Sequence, residues 1–156
     1  MMTIRKAEEK DIKRIDDLLL QVLRIHHGVR PDIFKPETRK YTDDELKALI
    51  NDSERPVFVA EIEGRVEGYA FCIFQQHVND NILTDILTLY IDDLCVDEEC
   101  RGSGIGKKLY QYVLDYARNA GCYNVTLNVW EGNDTAKSFY EAMGLGYQKY
   151  VMEQVL

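Results

Sequence analysis

One stretch, Asp92-Asp93-Leu94-Cys95-Val96-Asp97-Glu98-Glu99-Cys100-Arg101-Gly102-Ser103-Gly104-Ile105-Gly106-Lys107-Lys108-Leu109, constrains the fold of this chain more than any other. A β-like run ends in a basic residue and a glycine-rich turn that opens directly into an amphipathic helix. Glycines at 102, 104 and 106 let the backbone approach a ligand closely and point successive N–H groups outward. The helix adds the positive end of its dipole and Arg101 adds a full charge, which suits a phosphorylated ligand, a pyrophosphate above all. A tight strand-to-helix turn with no ligand is the alternative that the same glycines allow.

Spacing narrows the choice. Gly102 to Gly106 is one residue too short for a G-x-x-x-x-G-K-[ST] loop, and Lys108 stands where Ser or Thr belongs. The dinucleotide pattern G-x-G-x-x-G also fails, because the glycines run G-x-G-x-G. What remains, Arg-x-x-Gly-x-Gly, resembles the coenzyme A pyrophosphate loop of the GNAT N-acetyltransferase superfamily. A second segment, Asn133-Asp134-Thr135-Ala136-Lys137-Ser138-Phe139-Tyr140-Glu141-Ala142-Met143-Gly144, resembles that family's N-x-x-A-x-x-F-Y-x-x-x-G signature at its usual distance downstream. The resemblance runs from Thr3 to the C-terminus and is weakest between Ile25 and Lys40.

The element pattern agrees with it. Met2 to Ala7 alternates as a first strand, and Ile12, Ile15, Leu18, Leu19, Val22 and Leu23 give a helix to about Ile25. The stretch from His26 to Pro36, with Gly28, Pro31 and Pro36, is expected to break it. A capping box of Thr42 and Glu45 starts a second helix, with Tyr41 able to staple Leu46. Strands follow at Pro56–Ile62 and Arg65–His77 around a Glu63-Gly64 turn, then a run from Leu83 to Val96. The helix after the glycine loop ends at Gly121. Asn124 to Trp130 reads as a strand, a helix capped by Asn133 or Asp134 comes next, and Tyr147 to Leu156 is expected to close the chain as a final strand. The order β-α-α-β-β-β-α-β-α-β predicts a single α/β domain over residues 1–156, with a mixed, partly antiparallel central sheet flanked by helices. In the family's fold the fourth and fifth strands splay apart and the coenzyme wedges between them.

Acetyl transfer to an amine needs an anchored acyl carrier, a polarised carbonyl, a deprotonated amine and a proton for the departing thiolate. The resemblance implies acetyl-CoA as cosubstrate, its pyrophosphate held by Arg101, Gly102, Ser103, Gly104, Ile105, Gly106 and Lys107. It implies that the backbone of Leu94, Cys95 and Val96 holds the pantetheine arm, with Asn133 hydrogen-bonding the same arm. Tyr140 is the implied general acid. The run Tyr90-Ile91-Asp92-Asp93-Leu94-Cys95-Val96 looks particularly like the diamine (spermidine/spermine) branch, which has Glu-Asp there. Asp92 and Asp93 are therefore expected to bind the acceptor or help remove its proton, the shorter Asp92 through a bridging water. Adjacent on a strand, their side chains should point to opposite faces, so that only one meets the acceptor. His27, beside His26 at the end of the first helix, is a candidate for acceptor binding, although the helix dipole also favours histidine there.

Composition limits the partners. A net charge of −8 argues against a nucleic-acid binder and suits a cationic partner. No apolar run approaches a membrane span and no signal peptide precedes the first strand, so a cytoplasmic location is expected. The four cysteines form no C-x-x-C pair and have no histidine at metal spacing, so no metal is expected; a nucleophilic Cys95 lacks a recognisable histidine partner. The leading expectation is an N-acetyltransferase for a primary amine, most simply a small cationic one. A protein N-terminal or lysine acetyltransferase and a catalytically idle acyl-CoA sensor are the alternatives. A homodimer could form through the edge of the last strand.

Overall fold

The computed structural model describes all residues from Met1 to Leu156. Five strands, β1 (Met2–Lys6), β2 (Val57–Ile62), β3 (Arg65–Gln75), β4 (Thr88–Val96) and β5 (Asn124–Leu127), lie side by side in chain order. The first four pair antiparallel, and β5 lies parallel to β4. The helices are α1 (Ile12–Val29), α2 (Asp43–Ile50), α3 (Ile105–Asn119) and α4 (Asp134–Ala142). A parallel pair needs a crossover, and α3 supplies it between β4 and β5.

Each face of the sheet carries its own core. On the α1 and α2 side, Ile15, Leu18, Leu19 and Leu46 pack with Val59, Tyr69, Phe71 and Cys95. On the other side, Ile105, Leu109, Val113 and Ala117 repeat every four residues along α3 and meet Phe58, Ala70, Leu89 and Ile91. Because both faces are covered, β3 reads as a nearly unbroken buried run from Val66 to Cys72.

Two residues drop out of the ladders. Ala60 pairs with Gly68 and Glu61 with Val66, which leaves Glu67 unmatched on β3. Phe71 pairs with Asp93 and Cys72 with Ile91, which leaves Asp92 unmatched on β4. Each is a β-bulge, and each reverses the alternation of its strand. In β4, Leu89 and Ile91 face the α3 core before the bulge, whereas Leu94 and Val96 face it afterwards and Cys95 turns to the α1 core.

Several boundaries differ from the sequence expectation. α1 continues through His26, His27 and Gly28 to Val29. A single helical glycine costs only about 1 kcal/mol against alanine, so the effective stop is Arg30, which precedes Pro31 and leaves the helical region at φ −136°. β4 starts at Thr88 rather than Leu83, because Asp80 Oδ1 accepts from the backbone of Ile82 and Leu83 at 2.8 Å and holds a turn there. β5 ends at Leu127 rather than Trp130. Tyr147 to Leu156 forms no strand: no backbone ladder reaches it, and it is tied by side chains, Tyr147 Oη to Glu141 at 2.5 Å and Arg30 to Glu153. The Thr42–Glu45 capping box is present in both directions, at 3.2 and 3.3 Å. No helix is long and apolar enough to cross a membrane.

Candidate active site

Parallel pairing between β4 and β5 runs only from Thr88–Asn124 to Ile91–Leu127. Beyond the Asp92 bulge, β4 still pairs with β3 on one edge but has no strand on the other. That edge opens into a cleft of about 2490 Å³ lined by Leu94, Val96, Gly104, Asn133 and Tyr140, among others. Single small-molecule sites run to roughly 300–1,000 Å³, so this cleft has room for a coenzyme and an acceptor together.

At one end of the cleft, Gly102 and Gly104 take φ of +82° and +83°, which L side chains rarely adopt. Gly104 caps α3, and the first helical bond runs from Lys108 N–H to Gly104 O at 3.1 Å. The N–H groups of Ile105, Gly106 and Lys107 belong to the first turn and have no acceptor within the helix. Gly106 is tight: a Cβ there would lie 3.4 Å from Phe139 and 3.5 Å from Val96. Arg101, Gly102, Gly104, Ile105, Gly106 and Lys107 all line the cleft. Ser103 does not; its hydroxyl turns back to donate to the Cys100 carbonyl. A free strand edge, a basic residue and unpaired helical N–H groups in one groove fit an amide-bearing arm ending in a pyrophosphate.

The base of this loop is clamped. Arg14 on α1 donates to Asp97 at 2.6 Å, to bulged Glu67 at 3.0 Å and to the Val66 carbonyl at 2.8 Å. Gln21 adds a bond to Asp97 at 3.2 Å, and Asp97 also accepts from Glu99 N–H at 2.8 Å. Although burial works against ionisation, Arg14 and these donors hold the Asp97 carboxyl below the usual range.

Across the cleft, Asn133 Oδ1 caps α4 by accepting from Ala136 N–H at 3.4 Å. Tyr140 on α4 sits edge-on to Phe139 and Tyr110, with ring centroids 5.1 and 6.2 Å away. Burial raises its phenol above the ordinary range, and the Asp93 carboxylate adds to the effect. Tyr140 therefore stays protonated at neutral pH.

The carboxylates of β4 do not point to opposite faces as strict alternation requires. The bulge rotates Asp92 so that both reach Lys40, whose Nζ lies 3.2 Å from Asp92 Oδ2 and 3.9 Å from Asp93 Oδ2. Asp93 is almost wholly enclosed and accepts from the Tyr69 hydroxyl at 2.9 Å. Burial pushes its carboxyl up to about 6, against the pull of Lys40 and the Tyr69 bond. Lys40 is also raised: desolvation lowers it, but Asp93 and Asp92 prevail and hold it above its usual range.

One expectation is corrected at the cleft wall. His27 is not on it, because its Nδ1 lies 2.7 Å from the Phe34 carbonyl; His26 lines the cleft instead, its pKa lowered by burial and by Lys40. Cys95 lines the cleft, but its thiol is buried against the Leu18 carbonyl at 3.7 Å and pushed up to about 12. That thiol is no nucleophile at neutral pH. Lys40 and Tyr69 were not legible as site residues: Lys40 lies in a loop without periodicity, and Tyr69 reads as one more buried residue of β3.

Comparison with known proteins agrees with this geometry. The Acetyltransferase (GNAT) family profile matches residues 21–145. A glucosamine 6-phosphate N-acetyltransferase of Arabidopsis thaliana is 27% identical over 154 residues, covering 97% of this chain and 94% of that protein. The enzyme of the same description from Trypanosoma brucei brucei is 36% identical over 143 residues, covering 92% and 88%. The crystal structure of a mutant protein from Bacillus halodurans superposes with a TM-score of 0.95 at 30% identity over 99% of both chains. With the family profile spanning the splayed strands, the glycine loop and α4, the chain belongs to the GNAT acetyltransferase family and is an acetyl-CoA-dependent N-acetyltransferase.

Proposed function

We propose that the acceptor is a small cationic amine and that acetyl passes to it directly in a ternary complex. The observation that carries this reading is the convergence of Asp92 and Asp93 on a single primary ammonium, that of Lys40. Two carboxylates that hold one alkylammonium at the mouth of the splayed strands have the chemistry to hold another. The acidity of the chain adds a favourable field for a cation.

In this reading the free edge of β4 at Leu94–Val96 orients the pantetheine arm, and the loop Arg101–Lys107 binds the pyrophosphate. Asn133 Nδ2, which makes no hydrogen bond within the chain, donates to the arm. Asp93, with a carboxyl near 6, is ionised at neutral pH and accepts the ammonium proton, directly or through water by way of Asp92. The freed amine nitrogen forms its bond to the thioester carbonyl carbon, the carbon–sulfur bond breaks, and Tyr140 Oη hands its proton to the sulfur. The inert Cys95 thiol is what favours direct transfer over an acyl-enzyme.

A thiol-release assay with acetyl-CoA and a panel of spermidine, a lysine peptide, glucosamine 6-phosphate and an aminoglycoside tests the reading. Small cationic amines should lead. Tyr140→Phe should lower kcat by about 10²–10⁴-fold with little effect on the KM of acetyl-CoA. Wild-type kcat/KM should fall below about pH 6 as Asp93 takes up its proton. The reading fails if Asp92→Asn and Asp93→Asn are both kinetically silent. A second reading, a phosphorylated amino sugar as acceptor, is favoured by the names of the two enzyme relatives and would show as preference for glucosamine 6-phosphate.

A further inference from the structure

Lys40 occupies the position that the acceptor ammonium needs. Its side chain is 42% exposed, while Asp93 beneath it is 9% exposed, so the lysine covers the carboxylates from the solvent side. The backbone on either side of Lys40 is fixed. Arg39 pairs with Asp16 on α1 at 2.7 Å and with Asp43 on α2 at 2.6 Å, and the Tyr41 ring stacks on Phe71 at 5.9 Å. Between these anchors only the four-carbon stem of Lys40 is free to move. The ammonium is held at its tip by Asp92 and Asp93 and lies 5.4 Å from the Tyr41 ring centroid. Both contacts can be offered equally to an incoming amine.

We infer that Lys40 is a built-in, displaceable occupant of the acceptor subsite: it neutralises Asp92 and Asp93 in the free protein and must swing out before an amine is acetylated. The inference rests on the reading that these carboxylates receive the acceptor. It assigns Lys40 a role in selectivity. An acceptor must outcompete a tethered ammonium, so amines with a single weakly held charge are disfavoured against those that engage both carboxylates. The displaced Lys40, exposed at the rim, is then free to meet any anionic group that the acceptor carries.

The tether makes the prediction specific. Lys40→Met keeps the apolar stem and removes the charge, so the KM for spermidine should fall about 5–10-fold, while the KM of acetyl-CoA stays within about 2-fold of wild type. Lys40→Arg, which restores a cation, should return the spermidine KM towards the wild-type value. Independently of turnover, lysine labelling by an N-hydroxysuccinimide acetate read by peptide mass spectrometry should find Lys40 slow beside exposed Lys35 and Lys149. Asp92→Asn, or spermidine added to wild type, should speed Lys40 labelling by at least about 5-fold. An unchanged or raised spermidine KM in Lys40→Met overturns the inference, as does Lys40 labelling that neither Asp92→Asn nor spermidine alters. If Asp93→Asn raises the amine KM and Lys40→Met does not lower it, the acceptor reading stands and only the inference falls. If Asp92→Asn and Asp93→Asn leave kinetics untouched while Asp92→Asn still releases Lys40 to the label, the acceptor reading itself falls.

Discussion

Two bulges break the ladders of this sheet, and each presents a carboxylate to a basic residue from outside the sheet, yet they are finished differently. At Glu67 the partner is Arg14, 18% exposed, whose planar guanidinium spans Glu67, Asp97 and a backbone carbonyl at once. Gln21 and the Glu99 N–H complete the shell around Asp97. At Asp92 the partner is Lys40, a single ammonium on a flexible stem that reaches Asp92 well and Asp93 at only 3.9 Å. The first acid group is saturated, and Asp97 beside it ionises more easily than usual. The second leaves Asp93 buried with a carboxyl near 6. The contrast shows one backbone device serving two ends. Saturated, it clamps the base of the glycine loop; left short of partners, it keeps charge available for a ligand.

The largest expected effect lies at the saturated bulge. Arg14→Met takes the nearest cation from two buried acids, and its cost should be about 3 kcal/mol or more in urea denaturation at neutral pH. A cost under about 1 kcal/mol would break the comparison, because Arg14 would then be no more structural than Lys40.

Next come the two aspartates, with opposite signs. Between the ordinary carboxyl range and about pH 6, native Asp93 keeps a proton that the unfolded chain gives up. Its contribution to stability is therefore lost as pH rises through that window, by an amount of about 3 kcal/mol, the attraction of Lys40 being already contained in that value. Asp93→Asn should thus be at least as stable as wild type at about pH 7.5, and its advantage should shrink towards about pH 4.5. Asp97 is the reverse case: its depressed carboxyl stabilises the native state above the ordinary range, and this is lost as pH falls through the native value. Asp97→Asn should cost about 1–3 kcal/mol at neutral pH and less in acid. Denaturation curves at both pH values decide the pair, and equal signs would erase the distinction.

The smallest effect sharpens it. Lys40→Met should shift stability by less than about 1 kcal/mol, since a 42% exposed lysine contributes little to folding whatever it does for the ligand. Thermal melts of the same variant used for kinetics would separate the two roles.

What was legible in the sequence follows the range of the interaction concerned. The glycine loop, the Thr42–Glu45 box, the Asn133 cap and the α3 stripe depend on neighbours a turn or less away, and all are found where the pattern puts them. The bulges depend on which residue of one strand faces which residue of the next, information that no local period carries. Strict alternation therefore sent Asp92 and Asp93 to opposite faces, and Lys40 and Tyr69, distant in sequence, went unnoticed beside them. The C-terminal segment fails for a related reason. Aromatic and β-branched residues at 147–156 suit a strand, but a strand also needs a neighbour, and here its ties are side-chain ones.

The reversal of alternation at Asp92 has a consequence for how such a site can be gained or lost. A strand's phase has two values and nothing between them. Substitutions at Asp92 change which group is displayed but leave Leu94 and Val96 towards α3 and Cys95 towards α1. Deleting Asp92 would restore the regular count against β3 and leave those faces as they are, whereas taking Asp92 into the ladder as a regular residue would exchange the faces of everything up to Val96 and push the carboxylate of Asp93 into the apolar layer now filled by Leu89 and Ile91. The facing of the splayed edge is thus an all-or-none property of register against β3, insulated from the point changes by which side-chain chemistry drifts.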